Sequence, residues 1–169
     1  MKKIGKLISK GIVKGAGLLN MKNRINYFKV APSALEKILE LEQYVRKTAI
    51  DKKLKELIKL RVSQINGCAY CIKMHTKSAL KLKIPEEQIE QLKNWNEATI
   101  YSPKEKVAFE LAEHVTLISE KGVSDELYQR VREHYDEKEY VDLIVLINQI
   151  NMWNRLSISM GNTEETPSA

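Results

Sequence analysis

Cysteine is nearly absent from this chain: two in 169 residues, too few for the disulfide framework that staples small secreted domains. Proline (four) and glycine (seven) are also scarce. With 30% charged residues, that scarcity favours a helical soluble protein over a disordered one. No apolar run approaches the length needed to cross a bilayer. No long apolar stretch with an Ala-x-Ala site marks a cleavable signal peptide. A single Cys-x-x-Cys suits a reducing compartment, so the cytoplasm is the expected location. No Gly-rich phosphate loop is present, and no bound nucleotide, flavin or other cofactor is indicated.

The net charge of +6 is concentrated at one end. Lys2, Lys3, Lys6, Lys10 and Lys14 fall in the first twenty residues, which contain no acid, leaving about +1 for everything after them. The body therefore lacks the basic stripe that nucleic acid would require. Within residues 1–20, Ile4, Leu7, Ile8, Ile12, Leu18 and Leu19 keep helical spacing opposite the lysines, but Gly5, Gly11, Gly15 and Gly17 weaken an isolated helix there. This segment reads either as an extension, with Met21 able to serve as a start, or as an amphipathic element that docks on an anionic membrane or in a partner's groove.

What is present is helical punctuation, with no strand pattern competing. The expected architecture is all-α: about six to seven helices over residues 21–161, then a flexible polar tail over 162–169. Pro32-Ser33-Ala34-Leu35-Glu36 reads as a capping box opening a helix to about Val45, with Leu35, Ile38, Leu39, Glu42 and Val45 along one side. Helices follow over Asp51–Ile65, Cys68–Leu82 and Pro85–Lys93. Ser102-Pro103-Lys104-Glu105 opens another, expected to reach Ser119 before Lys121-Gly122. Ser124 caps a helix to about Tyr135, and Asp136 caps the last, through Met160. That last helix carries Val141, Leu143, Ile144, Val145, Leu146, Ile147 and Ile150 with almost no polar face. Burial on most sides is expected, inside the domain or against another subunit.

Both cysteines lie at the start of one helix, Cys68 and Cys71, with His75 four residues on; the three fall on one helix face. Apolar spacing from Leu54 to Ile65 defines the preceding helix, and Asn66-Gly67 stops it. If the two helices fold back on each other, Glu56 lies roughly 15 Å before the turn and His75 roughly 12 Å after it, at about 1.5 Å per residue. They then sit at similar depth, where a carboxylate can orient the imidazole and raise its basicity. Only a thiolate attacks an O–O bond. Cys71, in the first helical turn with His75 at i+4, is favoured for that role, and Cys68 would then resolve the sulfenic acid as a disulfide. The reverse assignment also has merit, because Cys68 is nearer the helix end.

The spacing Glu-x11-Cys-x2-Cys-x3-His, met by Glu56, Cys68, Cys71 and His75, resembles the signature of the AhpD-like alkylhydroperoxidase branch of the carboxymuconolactone decarboxylase family. The words from Arg61 to Thr76, and Asn151-Met152-Trp153-Asn154-Arg155-Leu156, are similar to the same branch. The resemblance covers roughly Met21 to Gly161. It implies an all-helical fold with the Cys-x-x-Cys opening a central helix, and a homo-oligomer of trimers or their multiples. It also implies reduction of a hydroperoxide with electrons from an external thiol, and suggests Cys71 as the peroxidatic residue. The decarboxylase namesake lacks such a cysteine pair, so decarboxylation is disfavoured.

Three other readings use the same residues. One is a thiol–disulfide reductase or redox sensor acting on a protein. Another is a zinc site of Cys68, Cys71, His75 and Glu56, for which the chain offers no second ligand pair. The last is a core role for the cysteines. Tyr70, between the cysteines, is assigned to the substrate entrance, with packing as its alternative. His114, His134, Trp95 and Trp153 read as structural, while Asn154 and Arg155 resemble family positions near the site or a subunit contact.

Overall fold

The structure, a computed structural model, describes residues 24–163. The basic segment 1–20 and the end of the tail, 164–169, lie outside the described residues. Among the described residues nine α-helices run in chain order: α1 Tyr27–Val30, α2 Pro32–Lys47, α3 Lys52–Asn66, α4 Ala69–Lys81, α5 Glu86–Gln91, α6 Pro103–Thr116, α7 Ile118–Lys121, α8 Asp125–Arg132 and α9 Glu137–Ser159. A 3₁₀ turn, Leu92–Asn94, follows α5. Two of the nine, α1 and α7, are single turns. No strand occurs among the described residues.

The helix starts are built by side chains that satisfy otherwise orphaned amides. Asp51 accepts from the backbone N–H groups of Lys53 and Leu54 to open α3. Ser102 with Glu105 and Asp136 with Glu139 form complete capping boxes on α6 and α9. The box expected at Ser33–Glu36 does not form. Asn26 caps the extra turn α1, which runs almost directly into α2. Ala31 therefore becomes the cap of α2, Pro32 takes the first helical position that its fixed φ suits, and Ser33 falls inside the helix.

Helix α3 holds the centre. It packs against α4, α6 and α9 and buries Leu54, Leu57, Ile58, Leu60 and Val62. Full burial of such a side chain contributes about 1.5–3 kcal/mol. Helix α9 adds Leu143, Leu146, Ile147 and Ile150 to the same core and also touches α2 and α6. It is not covered all round: Val141 is 53% exposed and Met152 37% exposed, so within this chain α9 keeps an uncovered apolar side. Leu39 on α2 is exposed as well, because the inward face of α2 is carried by Leu35 and Val45.

Helix α6 stops at Thr116 rather than running to Ser119. Leu117 leaves helical geometry (φ −102°, ψ 40°), and α7 restarts at an angle. The break brings the Gly122 carbonyl to His114 Nδ1 at 2.8 Å. Gly122, at φ 61° and ψ −174°, ends α7 in a conformation that suits only glycine. The ends of the described chain meet: the Arg24 backbone N–H donates to the Met160 carbonyl at 2.8 Å, and Asn162 Nδ2 donates to the Tyr27 hydroxyl at 3.1 Å. Asn162, the first residue of the expected tail, is thus tied to the body.

Candidate active site

The turn between α3 and α4 sets the cysteine pair. Gly67 sits in the left-handed region (φ 67°, ψ 27°). From there its N–H reaches the Gln64 carbonyl and the Cys68 N–H reaches the Ser63 carbonyl, the two bonds of a Schellman stop. A Cβ at position 67 would meet open space, so glycine is required for the backbone angle alone.

Cys68 caps α4, its Sγ accepting the Cys71 N–H at 3.4 Å. Cys71 lies in the first turn, and the two are joined as a disulfide with Cα atoms 5.3 Å apart. Both residues are only 2% exposed. One turn further, His75 is buried and its Nδ1 lies 2.6 Å from Glu56 Oε1 on α3. The similar depths read from the sequence are therefore realised as a direct contact. Glu56 fixes Nδ1 as the protonated nitrogen, which leaves the lone pair of the neutral ring on Nε2. Nε2 is buried and makes no hydrogen bond among the described residues. An oriented imidazole one turn from a cysteine sulfur is an arrangement suited to proton transfer.

The sulfurs are bonded to each other, the Glu56 oxygen is engaged by His75, and the described residues contain no cluster of three or more His, Cys, Asp or Glu arranged for a metal.

A polar seam behind the turn escaped the sequence reading. Asn66 Nδ2 donates to Oδ1 of both Asn151 and Asn154 at 2.9 Å. Asn154 Nδ2 donates to Ser63 Oγ at 3.1 Å, and Asn151 Nδ2 to Thr116 Oγ1 at 3.1 Å. This seam clamps the last turn of α3, and hence the Cys68 turn, to α9. Its signal was Asn151 and Asn154, three apart in the last helix and buried there, together with Asn66, which served only as a stop signal. Arg61 likewise has a partner that no sequence pattern announces. Its guanidinium bonds Glu113, which also accepts from Trp95 Nε1 at 2.7 Å. Burial alone would raise the Glu113 carboxyl pKa; the Trp95 and Arg61 bonds, with the charges of Arg61 and Lys121, bring it below the usual value.

The remaining candidates lie as follows. Tyr70 is half-buried, and burial, then Tyr27, push its hydroxyl pKa up. His114 is engaged by Gly122, and His134 is exposed at the end of α8. Trp95 packs beside Phe109, and Trp153 stacks on Phe28. Arg155 is exposed.

Comparison with known proteins gives one consistent result. Residues 32–114 match the model of the carboxymuconolactone decarboxylase family. The uncharacterized protein YdfG of Bacillus subtilis strain 168 is 54% identical over 142 residues, covering 84% of this chain and 97% of YdfG. The crystal structure of ATU0492 from Agrobacterium tumefaciens, a protein of unknown function described as a candidate antioxidant defence protein AhpD, is 34% identical. It superposes with a TM-score of 0.83 over 86% of this chain and all of that one. The debrominase Bmp8 shares the fold at a TM-score of 0.75 and 18% identity, over 96% of this chain and 87% of Bmp8. The chain belongs to the carboxymuconolactone decarboxylase family, in its AhpD-like branch.

Proposed function

We propose that this protein is a thiol-dependent peroxidase that reduces hydroperoxides through the Cys68–Cys71 pair. The observation that carries this reading is the 2.6 Å contact of Glu56 with His75 Nδ1, which leaves Nε2 unpartnered one turn from Cys71. In the reduced pair, His75 Nε2 takes the Cys71 proton. The thiolate attacks the terminal oxygen of ROOH and the O–O bond breaks. The proton returns to the leaving alkoxide, so ROH departs and Cys71 becomes a sulfenic acid. Cys68 then attacks that sulfur, water leaves, and the disulfide forms. An external dithiol supplies two electrons and two protons to reset the pair.

Burial of both cysteines favours a small peroxide over a folded protein as oxidant, and a slender dithiol as reductant. It weighs against the protein disulfide reductase reading. The reverse assignment of the cysteines has one observation in its favour: Cys68 Sγ is the sulfur that accepts a helix N-terminal amide. The uncovered side of α9, with Val141 and Met152, supports self-association into a homo-oligomer. No helix among the described residues is long and apolar enough to cross a membrane, and a cytoplasmic setting belongs to the same proposal.

Because one fold hosts different reactions, as Bmp8 illustrates, substrate must be tested directly. The test is consumption of hydrogen peroxide, an alkyl hydroperoxide and a lipid hydroperoxide, each with thioredoxin, dihydrolipoamide or dithiothreitol as donor. Turnover with at least one pair, lost in Cys71→Ser, is expected. No peroxide-dependent oxidation of the reduced pair would overturn the reading.

A further inference from the structure

An open cavity of about 600 Å³ lies between the C-terminal end of α2 and the first half of α3, with Leu82 at its edge. Its walls carry five cations, Arg46, Lys47, Lys52, Lys55 and Lys59, and one carboxylate, Glu56. Lys59 is neutralised by Glu42, 2.6 Å away. Glu56 is held by His75. The other four cations have no such counter-charge among the described residues.

Lys55 is the unusual one. It is only 7% exposed, and its ammonium donates to the carbonyls of Val45, Arg46 and Thr48 at 3.1–3.2 Å. These contacts cap α2 but neutralise no charge. The acids whose fields reach Lys55 are occupied: Asp51 caps α3, and Asp142 is bonded by Lys138 and Tyr44. A buried ammonium held only by dipoles is costly unless an anion compensates it. Burial first, then the neighbouring charges of Lys59 and Lys52, lower the Lys55 pKa. Arg46, Lys47 and Lys52 are exposed and form no salt bridge among the described residues, so they are free to close over a ligand.

We propose that this cavity binds a small, multiply charged oxyanion, a phosphate group or a polycarboxylate, held by Arg46, Lys47 and Lys52 above the buried ammonium of Lys55. The volume suits a small molecule rather than a chain segment. Guanidinium and ammonium groups donate charge-assisted hydrogen bonds to such oxygens. The amides at the start of α3 are already taken by Asp51, so the side chains provide the recognition. Glu56 on the wall disfavours a weakly charged ligand whose attraction to the cations would not outweigh its repulsion. This site does not depend on peroxide chemistry.

Isothermal titration calorimetry of the full-length protein with inorganic phosphate, and separately with citrate, tests the proposal, each at ionic strength matched with sodium chloride. Saturable binding of at least one anion is expected, weakened by about tenfold or more in an Arg46→Ser/Lys52→Ser double variant; tenfold corresponds to 1.4 kcal/mol. Phosphate alone binding would identify a phosphate ligand, and citrate alone a polycarboxylate. Both replaced residues are exposed, and the double variant separates this site from the lysines of residues 1–20. Absence of binding above the chloride control, or equal binding by the double variant, would overturn it.

Discussion

Replacing Asn154 with alanine removes two buried hydrogen bonds, the one accepted from Asn66 Nδ2 and the one donated to Ser63 Oγ. Asn154 is fully buried, so no solvent takes the place of the lost partner. A hydrogen bond of this kind contributes about 0.5–1.5 kcal/mol, and a buried group left unsatisfied adds desolvation cost. Asn66 keeps Asn151, and the Ser63 hydroxyl keeps its bond to the Lys59 carbonyl, so neither group is wholly orphaned. The expected loss is therefore about 2–3 kcal/mol, measured by denaturant unfolding at constant m-value. Because the seam fastens the end of α3 to α9, amide hydrogen exchange at Gly67–Cys71 should accelerate more than at the α6–α8 contact, which the two lost Asn154 bonds do not touch. A loss below about 0.5 kcal/mol with unchanged exchange at the turn would refute the seam as the clamp on the cysteine pair.

For the proposed proton relay, His75→Ala should slow peroxide reduction by about 10²–10⁴, and Glu56→Gln by less, since Glu56 would act through the ring. The Cys71 thiolate absorbance should titrate at higher pH in His75→Ala. Glu113 has a carboxyl pKa held below its ordinary 4.5, so it contributes stability above that pH that is lost as pH falls through the lowered value. Glu113→Gln should flatten the acid limb of stability against pH, and an unaltered limb would contradict the Arg61–Trp95–Glu113 cluster. For assembly, light scattering should give a multiple of 19.5 kDa, reduced by Val141→Asp. A wild-type monomer at micromolar concentration would refute self-association through α9.

The helices, and the bringing together of Glu56, Cys68, Cys71 and His75 at the candidate site, were legible in the sequence because local signals specify them. Ser102, Ser124 and Asp136 cap the helices expected of them, and the i, i+3, i+7 row of Cys68, Cys71 and His75 needs only a helix. The fold-back that joins Glu56 to His75 follows from Gly67, whose left-handed conformation a stop signal implies. Tertiary choices were not legible. Ser33 is a good capping residue with Glu36 in register, but the turn ahead of Pro32 claimed the start of α2. Leu117 interrupts α6, and the break is spanned by the contact of His114 with the Gly122 carbonyl rather than announced by any Pro or Gly at the break itself. Glu42, read on an apolar side, finds Lys59 and Gln149, and the asparagine seam joins residues about 90 positions apart, which no local pattern announces.

Intact-mass analysis of the reduced protein after one equivalent of hydroperoxide tests the central claim most directly. The wild type should lose two protons and gain no oxygen, as the Cys68–Cys71 disulfide forms. Cys68→Ser should gain one oxygen on Cys71, trapped as its dimedone adduct, while Cys71→Ser should react far more slowly. Fast oxidation of Cys68 in Cys71→Ser would reverse the assignment of the two sulfurs. A wild-type protein whose mass is unchanged by peroxide would contradict the peroxidase account altogether.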